Sequence, residues 1–582
     1  MSARRHLLRD LLRLAGPYWN CERRRTVRGA TLLLFLLTLA QVGLAVWGNY
    51  WNRALFDALE QRDARDVLVQ VGVFALIFAI SIGVTAAHLM VKRWLQLDWR
   101  AWLTEQLVGR WLEDGRHYRL QFSAGQHDNP DPRIAEDIRI ATESAIALAH
   151  TLVFSLLTLA LFIDILWSVS GSMVLPGTTV EVPGFMVPLA FLYAALGGVL
   201  GWMFGRPLVR TTNALQTAEA SFRFGLSRAR EHTEAIALLH GEPVERAGSA
   251  VRFRQIVHDW DRQSLAYMGL VSFSTGYGAL LPVFPILVAA PQYIAGAMSL
   301  GVLMQAAQAF QRLTSALSWP VDNIGEIARC GASAERVLAL HEDMQHLDQE
   351  GTTAGAPGIV IAQGTDAQLL IEDLCVAEPS GKVVLESFSA CIQRGERVLL
   401  TGDPAATGGL AKVLGGLWSW GSGRVLLPGD GAITFVPQRP LLPEGTLRDA
   451  LCYPRTPDRH ADTELLRALE SAGLAWLAPR LDDVDNWEQS LPLRAQQQLG
   501  FARLLLQRPV WLLLEGATDA FDPPGERRML EMLQRELPTT TLLTISAHPE
   551  LEGLHHRRLE LARPTAKYLF DGRRGNGADA HR

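Results

Sequence analysis

The stretch LLTGDPAATGGLAKVLGGLW, Leu399–Trp418, decides how the second half of this 582-residue chain is read. A short apolar strand, Arg397–Thr401, runs into a Gly-rich turn, and an apolar helix follows. That is the frame of a phosphate-binding loop, G-x-x-x-x-G-K-[ST], in which backbone N–H groups and a lysine hold nucleotide phosphates. Counted from Gly402, the second glycine falls on Thr407, the lysine on Gly408 and the Ser/Thr on Gly409. Frame and loop are present, whereas the charge and the metal-holding hydroxyl are absent.

Around this stretch, residues 358–565 alternate apolar strands with helical segments, the pattern of an α/β domain. Residues 331–357 read as a linker, a helix followed by the Gly/Thr/Ala hinge DQEGTTAGAPG, and residues 566–582 as a disordered tail. The first half differs in kind. Thr31–Tyr50, Val67–Met90, Ala145–Val169, Phe185–Phe204, Leu270–Ile294 and Leu300–Leu317 are apolar runs near the length a bilayer requires. Residues 29–330 are therefore expected to be a six-helix membrane domain with long helical extensions, and residues 1–28 an interfacial helix before the first span. Cleavage of the first run as a signal peptide is not expected, because it is too long and lacks a small-residue cleavage site.

Composition agrees with this division. The chain is 48% hydrophobic yet 20% charged, with positive mean hydropathy, as apolar spans joined to a water-soluble part would be. A net charge of −5 gives no sign of nucleic-acid binding. Five cysteines, at 21, 330, 375, 391 and 452, show neither paired spacing nor a Cys/His metal pattern, so free thiols and no metal centre are expected. Basic residues set the orientation. The N-terminal arm, Lys92, Arg93 and Arg100 after the second run, and Arg206 and Arg210 after the fourth contrast with residues 168–184 and 291–299, which carry no Lys or Arg. Both termini are expected in the cytoplasm.

Six spans fused to an α/β domain with this loop frame resemble an ABC transporter half, an exporter-like membrane domain joined to a P-loop-type nucleotide-binding domain. FVPQRPLLPEGTLRDAL (435–451) resembles the Q-loop segment, with Gln438 in the place that reaches the nucleotide's metal and the membrane-domain contact. LPLRAQQQLGFARLLLQRPVWLLLEGATDAFD (491–522) resembles the signature motif, its helix, the Walker B strand and the D-loop ending at Asp522. TISAHPE (544–550) resembles the switch region, with His548 as its histidine. In the first half, DNPDPRIAEDIR (128–139), EAIALLHGEPVE (234–245) and LGVLMQAAQAFQRLTSALSWPVDN (300–323) resemble segments of the SbmA/BacA-like and YddA-type bacterial transporters. The resemblance implies ATP and Mg²⁺ as cofactors, a bacterial inner-membrane location, and dimerisation.

The departures fall on the catalytic positions. Gly408 stands for the lysine and Gly409 for the metal-holding hydroxyl. Glu515 replaces the Walker B aspartate, one methylene longer, and Gly516 takes the place of the glutamate that polarises the attacking water. The signature reads Leu491, Pro492, Leu493, Arg494, with proline for the serine that contacts the γ-phosphate across the dimer and arginine for glycine. These changes imply weak or absent ATP binding and lost hydrolysis. Lys412, one turn past the loop, either offsets the missing charge or is an ordinary helix lysine. His548 is either a nucleotide contact or a loop histidine.

In the sixth run Gln305, Gln308 and Arg312 share one helical face, which must meet water or another polar group. That face lines the substrate pathway or bonds to a partner helix. Asp164 and His150 are the ionisable groups of the third run. Such halves must pair, so a heterodimer with a competent partner is expected rather than a homodimer, although a homodimer stays open. By resemblance the cargo is a peptide, a corrinoid or another bulky hydrophilic compound. Two rivals remain, a proton-gradient-driven transporter with a vestigial nucleotide domain and a non-transporting membrane scaffold.

Overall fold

The computed structural model describes residues 7–122, 130–174, 181–350, 358–546 and 548–562. Of the expected hinge DQEGTTAGAPG, residues 348–350 are helical instead and 351–357 lie outside the described residues, as does the tail at 566–582. The chain divides into two units, Met1–Gly109 with Asp128–Glu342, and Arg110–His127 with Asp343–Arg582.

The first unit is helical. α1 (Leu7–Trp19) is the amphipathic arm, anchored by the buried Tyr18, whose hydroxyl donates to Asp98 at 2.9 Å. Then come α2 (Arg24–Glu60), α3 (Ala64–Leu112), α4 (Ile138–Val169), α5 (Met186–Glu231), α6 (Glu242–Ile294), α7 (Leu300–Asp322) and α8 (Ile324–Glu350). A short hairpin, β1 (Ser172–Val174) with β2 (Glu181–Pro183), joins α4 to α5. α2 to α6 are each long and apolar enough to cross a bilayer, and their apolar windows are mostly unburied within the chain, as lipid-facing helices require.

α7 covers the sixth expected span but falls short of that apolarity. Its position explains why. It packs on α2, α4, α5 and α6, and buries Gly301, Gln305, Ala306, Ala307 and Ala309 among larger neighbours. Small residues let backbones approach closely, and a helix enclosed by helices has no need of a lipid-facing apolar coat. Its N-terminus is clasped by the end of α2. Asp57 accepts from Ser299 Oγ at 2.6 Å and Gly301 N at 3.1 Å, and Glu60 accepts from Leu300 N at 2.8 Å. A Cβ at Gly301 would lie 2.3 Å from the Arg53 carbonyl oxygen and from Asp57 Oδ1. At the other end of the bundle, the buried Asp137 accepts from Ser333 Oγ at 2.9 Å and Arg336 Nε at 2.7 Å, tying the start of α4 to α8.

The second unit holds two sheets. β3 (Val360–Gln363), β4 (Gln368–Ala377), β5 (Val383–Gln393) and β7 (Gly421–Leu427) form one, in the order β3-β7-β4-β5. The other is wholly parallel, in the order β13-β6-β12-β11-β8, from β6 (Arg397–Gly402), β8 (Ile433–Pro437), β11 (Trp511–Glu515), β12 (Thr541–Ile545) and β13 (Arg557–Leu561). β9 (Gly445–Thr446) and β10 (Val484–Asp485) pair beside the helical part. α9 (Pro404–Leu414) follows β6, α10 (Leu493–Gln507) precedes β11, and α11 (Pro523–Glu536) follows it. The strands of the parallel sheet are near-continuous apolar runs because both faces are covered. Residues 110–122 belong to this unit, where Phe122 meets the rings of Trp418 and Trp420 at 5.0 and 6.0 Å.

Candidate functional site

In open parallel sheets, ligands bind in the crevice beyond the carboxyl ends of the strands. β6 ends at Gly402, β8 just before Gln438, β11 at Glu515 and β12 at Ile545, three residues before His548. The fold thus gathers Gly402–Gly409, Gln438, Glu515, Gly516 and His548 at one edge, in the arrangement that the order of the motifs implies.

The loop itself differs from the expectation. No open Gly-rich turn follows Gly402; α9 begins at Pro404, so Thr407, Gly408 and Gly409 are all helical. Asp403 caps the helix, its Oδ1 accepting from Ala405 N at 2.9 Å and Ala406 N at 3.4 Å. A carboxylate of the chain thus takes N–H groups at a helix N-terminus, where an anion is favoured. Thr407 is buried and its hydroxyl turns back to the Asp403 and Pro404 carbonyls. Gly402 has φ +126°, and a Cβ there would lie 2.0 Å from the Leu561 carbonyl oxygen.

Gly408 and Gly409 each face a neighbour. A Cβ at 408 would stand 3.3 Å from Glu515 Oε1, and a Cβ at 409 would stand 3.3 Å from methyls of Val376 and Val384. The place of the metal-holding hydroxyl is therefore walled by two valines. Burial pushes the Glu515 carboxyl above the usual carboxylate range, and Lys412 acts against that shift. Lys412 itself lies 4.9 Å over the Trp418 ring.

On the opposite wall, Gln438 Nε2 donates to Asp519 Oδ2 at 2.9 Å. That same oxygen lies 2.8 Å from where a Cβ of residue 516 would stand, and Gly516 has φ +61°. Asp519 thus fills the space in which a glutamate at 516 would begin, and burial raises its pKa. Beneath them the fully buried Gln497 binds three segments at once. Its Nε2 donates to the carbonyls of Gln438 and Gly516, at 2.9 and 3.3 Å, and its Oε1 accepts from Ala520 N at 3.1 Å.

His548 does not stand free. Its Nδ1 lies 2.5 Å from Glu526 Oε2, and the buried Glu526 also accepts from Thr518 Oγ1 at 2.6 Å. The hydrogen bond to Glu526 raises the His548 pKa above the usual histidine value. At the signature, Leu491 is buried and Pro492 occupies the N-cap of α10, where it offers no side-chain hydrogen bond. The Arg494 guanidinium lies 5.1 Å over the Phe521 ring and 3.8 Å from Asp522 Oδ1.

In the helical unit, Gln305 is wholly buried and exchanges bonds with Asn49 of α2. Gln305 Nε2 donates to Asn49 Oδ1 at 3.1 Å, while Asn49 Nδ2 donates to the Gln305 carbonyl at 3.1 Å and to Gln308 Oε1 at 3.0 Å. Of the two alternatives for this face, Gln305 and the half-buried Gln308 therefore take the helix contact, and Arg312 is exposed. Among the described residues no group of three or more His, Cys, Asp or Glu side chains is arranged to hold a metal ion.

Asp403, Asp519, Glu526, Gln497 and Asn49 are absent from the residues singled out by sequence. Only Asp403 carried a local signal, as an aspartate directly before a proline at a helix start.

Comparison with known proteins agrees with the fold. Residues 12–280 match the family described as ABC transporter transmembrane region 2. The inner membrane ABC transporter ATP-binding protein YddA of Escherichia coli is 29% identical over 556 residues, 94% of this chain and 97% of that protein. An ABC transporter ATP-binding protein of Synechocystis, sll0182, is 30% identical over 91% of this chain and 80% of its own length. The human lysosomal cobalamin transporter ABCD4 is 26% identical over 95% of this chain and 94% of its length. Among solved structures, a bacterial Atm1-family ABC exporter with ATP bound superposes with a TM-score of 0.66 over 94% of this chain and 95% of that one, at 18% identity.

Proposed function

The chain belongs to the ABC transporter family, and we propose that within it this subunit is a half-transporter whose own nucleotide site no longer hydrolyses ATP. One observation carries the reading: Asp403 bonds the N–H groups at the start of α9. The remaining positions support it. Glu515 is not neutralised by a lysine at 408, the valines wall the hydroxyl position, and Asp519 stands in the space of the missing glutamate. These residues do not fit a triphosphate with its Mg²⁺, and no step of transport is assigned to ATP at this crevice. Pro492 and Arg494 likewise do not supply the usual trans contact to a second domain.

Energy then comes from a partner. A heterodimer with a competent half fits best, in which this α/β unit supplies a packing surface and coupling. The six-span reading takes α7 as the central span and places both termini in the cytoplasm of the inner membrane. The cargo is a peptide, a corrinoid or a similarly bulky hydrophilic compound, and ABCD4, a cobalamin transporter, supports the corrinoid member of that set. Arg312, the exposed member of the polar face of α7, is assigned to the pathway.

The test is hydrolysis. The purified chain is expected to show no vanadate-sensitive turnover alone, and to gain it when co-purified with a half that has an intact G-x-x-x-x-G-K-[ST]. Gly516→Glu alone is not expected to restore activity, since groups that act as a unit are strongly non-additive. Robust turnover by either form without a partner overturns the reading.

A further inference from the structure

Within the helical unit, His88 of α3 and His150 of α4 face each other, with ring centroids 4.1 Å apart and planes inclined at 46°. His88 is only 5% exposed, and its Nε2 has no hydrogen-bond partner among the described residues. Neither ring nitrogen of His150 has one. A neutral imidazole carries one N–H donor and one lone pair, so His150 leaves both unmet. Buried polar groups are normally bonded, and an ionisable group inside a spanning helix marks a functional position.

The surroundings narrow what the pair can hold. Phe154, one turn beyond His150, stands against that ring at 6.4 Å. The ionisable group acting on both rings is Lys92, one turn past His88. α2, which also packs on α4, buries Val27, Leu34, Thr38, Val42, Asn49 and Ala58, none of them titratable. From α7 the group beside this level is the neutral Trp319 indole, bonded to Thr151 Oγ1 at 3.0 Å. No third metal-binding side chain joins the two histidines among the described residues.

We propose that His88 and His150 form an intramembrane binding site for a single proton, shared between the rings as N–H⁺···N. The proton, taken from water, adds to a ring lone pair. The second ring accepts the new bond after the tilted planes turn edge to edge, so that His88 Nε2 and one nitrogen of His150 meet in a single bond. A second proton is opposed by the first and by Lys92, so the pair saturates at one.

The position suits such a site. Ser155 Oγ donates to the Ala316 carbonyl, and with the Thr151–Trp319 bond this fixes α4 antiparallel to α7. That register brings Thr314 near the level of Thr158, roughly 12 Å along the helix from His150. Both threonine hydroxyls are buried without a partner, and so is Gln305 Oε1 farther along. The histidines stand at one end of this line of polar groups. The inference rests on the bundle alone and is independent of the crevice.

The experiment is histidine-ring NMR on the full-length protein, ¹⁵N-labelled at histidine, in lipid nanodiscs and titrated from neutral to acidic pH. The expected result is a coupled titration of two rings, assigned by loss of one signal in His88→Gln and of the other in His150→Gln. In His88→Gln the His150 midpoint is expected to fall by on the order of one pH unit, because the shared bond is gone. A midpoint unmoved by removing the neighbour, or two rings neutral throughout, overturns the proposal. Should neither variant fold, the wild type decides: nitrogen–nitrogen coupling between two histidine rings at half-titration supports the site, and its absence overturns it. A shift that appears only with added Zn²⁺ and disappears with chelator also overturns it, in favour of a metal.

Discussion

At the carboxyl edge of the parallel sheet, Asp403 is bonded to Ala405 and Ala406, Gln438 to Asp519, and His548 to Glu526. Inside the helical bundle, His88, His150, Thr158 and Thr314 each keep a buried polar atom without a partner among the described residues. The first region resembles a ligand site whose groups have turned to one another. The second resembles ordinary span interior in sequence, yet carries polar groups that await something. An internal bond competes with a ligand for the same donors, whereas an unmet buried group costs stability until a ligand meets it. The contrast moves the expected chemistry of this chain from the crevice to the bundle.

The largest effect that tests the contrast is the absence of nucleotide affinity. The charge-assisted hydrogen bonds that a lysine at 408 and a hydroxyl at 409 would give a nucleotide are each worth about 1.5–3 kcal/mol, so affinity for Mg-ATP should fall at least about a hundredfold below that of an intact loop. Isothermal titration of the full-length protein should give no saturating signal; a micromolar dissociation constant would break the comparison at its first term. Asp403→Ala is expected to destabilise the α/β unit by about 1 kcal/mol through loss of the cap without restoring binding.

In the bundle, Gly301→Ala should be costly. Its Cβ would meet backbone and the Asp57 carboxylate at 2.3 Å, and such overpacking typically costs about 1–3 kcal/mol. A lowered thermal midpoint in detergent checks it, and an unchanged midpoint means that the clasp between α2 and α7 is not as described. A smaller loss, about 1 kcal/mol, is expected for Gln305→Leu with Gln308→Leu, because bonds to Asn49 are removed. Arg312→Gln should leave assembly intact and change substrate flux in vesicles. That pair of measurements separates adhesion from pathway along one helix.

The smallest effect is in the crevice. Glu526 raises the His548 pKa, so the folded state binds this proton more tightly than the unfolded chain. The stabilisation is complete below the ordinary histidine value and is lost as pH rises through the raised one. His548 is 45% exposed, which keeps the effect under about 1 kcal/mol. The thermal stability of the α/β unit should therefore fall slightly as pH rises through that window in the wild type and not in His548→Asn.

Much of the α/β unit is legible in the sequence, because strand–helix alternation and the order of the motifs place Gly402, Gln438, Glu515 and His548 at one sheet edge. The closed state of that edge is not read the same way. In GDPAAT, Asp403 before Pro404 is a helix-start signal, and matching the segment to a loop template conceals it. Asp519 and Glu526 are unremarkable in sequence; only the fold brings them against Gln438 and His548. For α7, the spacing of Gln305, Gln308 and Arg312 demands polar company but cannot say that Asn49, 256 residues earlier, provides it. Hydropathy also undervalues α7, since a helix surrounded by other helices is not selected for contact with lipid. His88 lacked any signal of its own, being one histidine in an apolar run until His150 faces it.

The clasp between α2 and α7 has a consequence for biosynthesis. Asp57 and Glu60 emerge from the ribosome some 240 residues before Ser299 and Leu300, the groups they bind. Until then the carboxylates at the end of α2 lack their α7 partners. Completion of α7 is thus the event that closes this clasp and supplies one helix packed on α2, α4, α5 and α6 together. A chain halted before Ser299 should be recognised by membrane quality control as unfinished, however many of its helices have already been inserted.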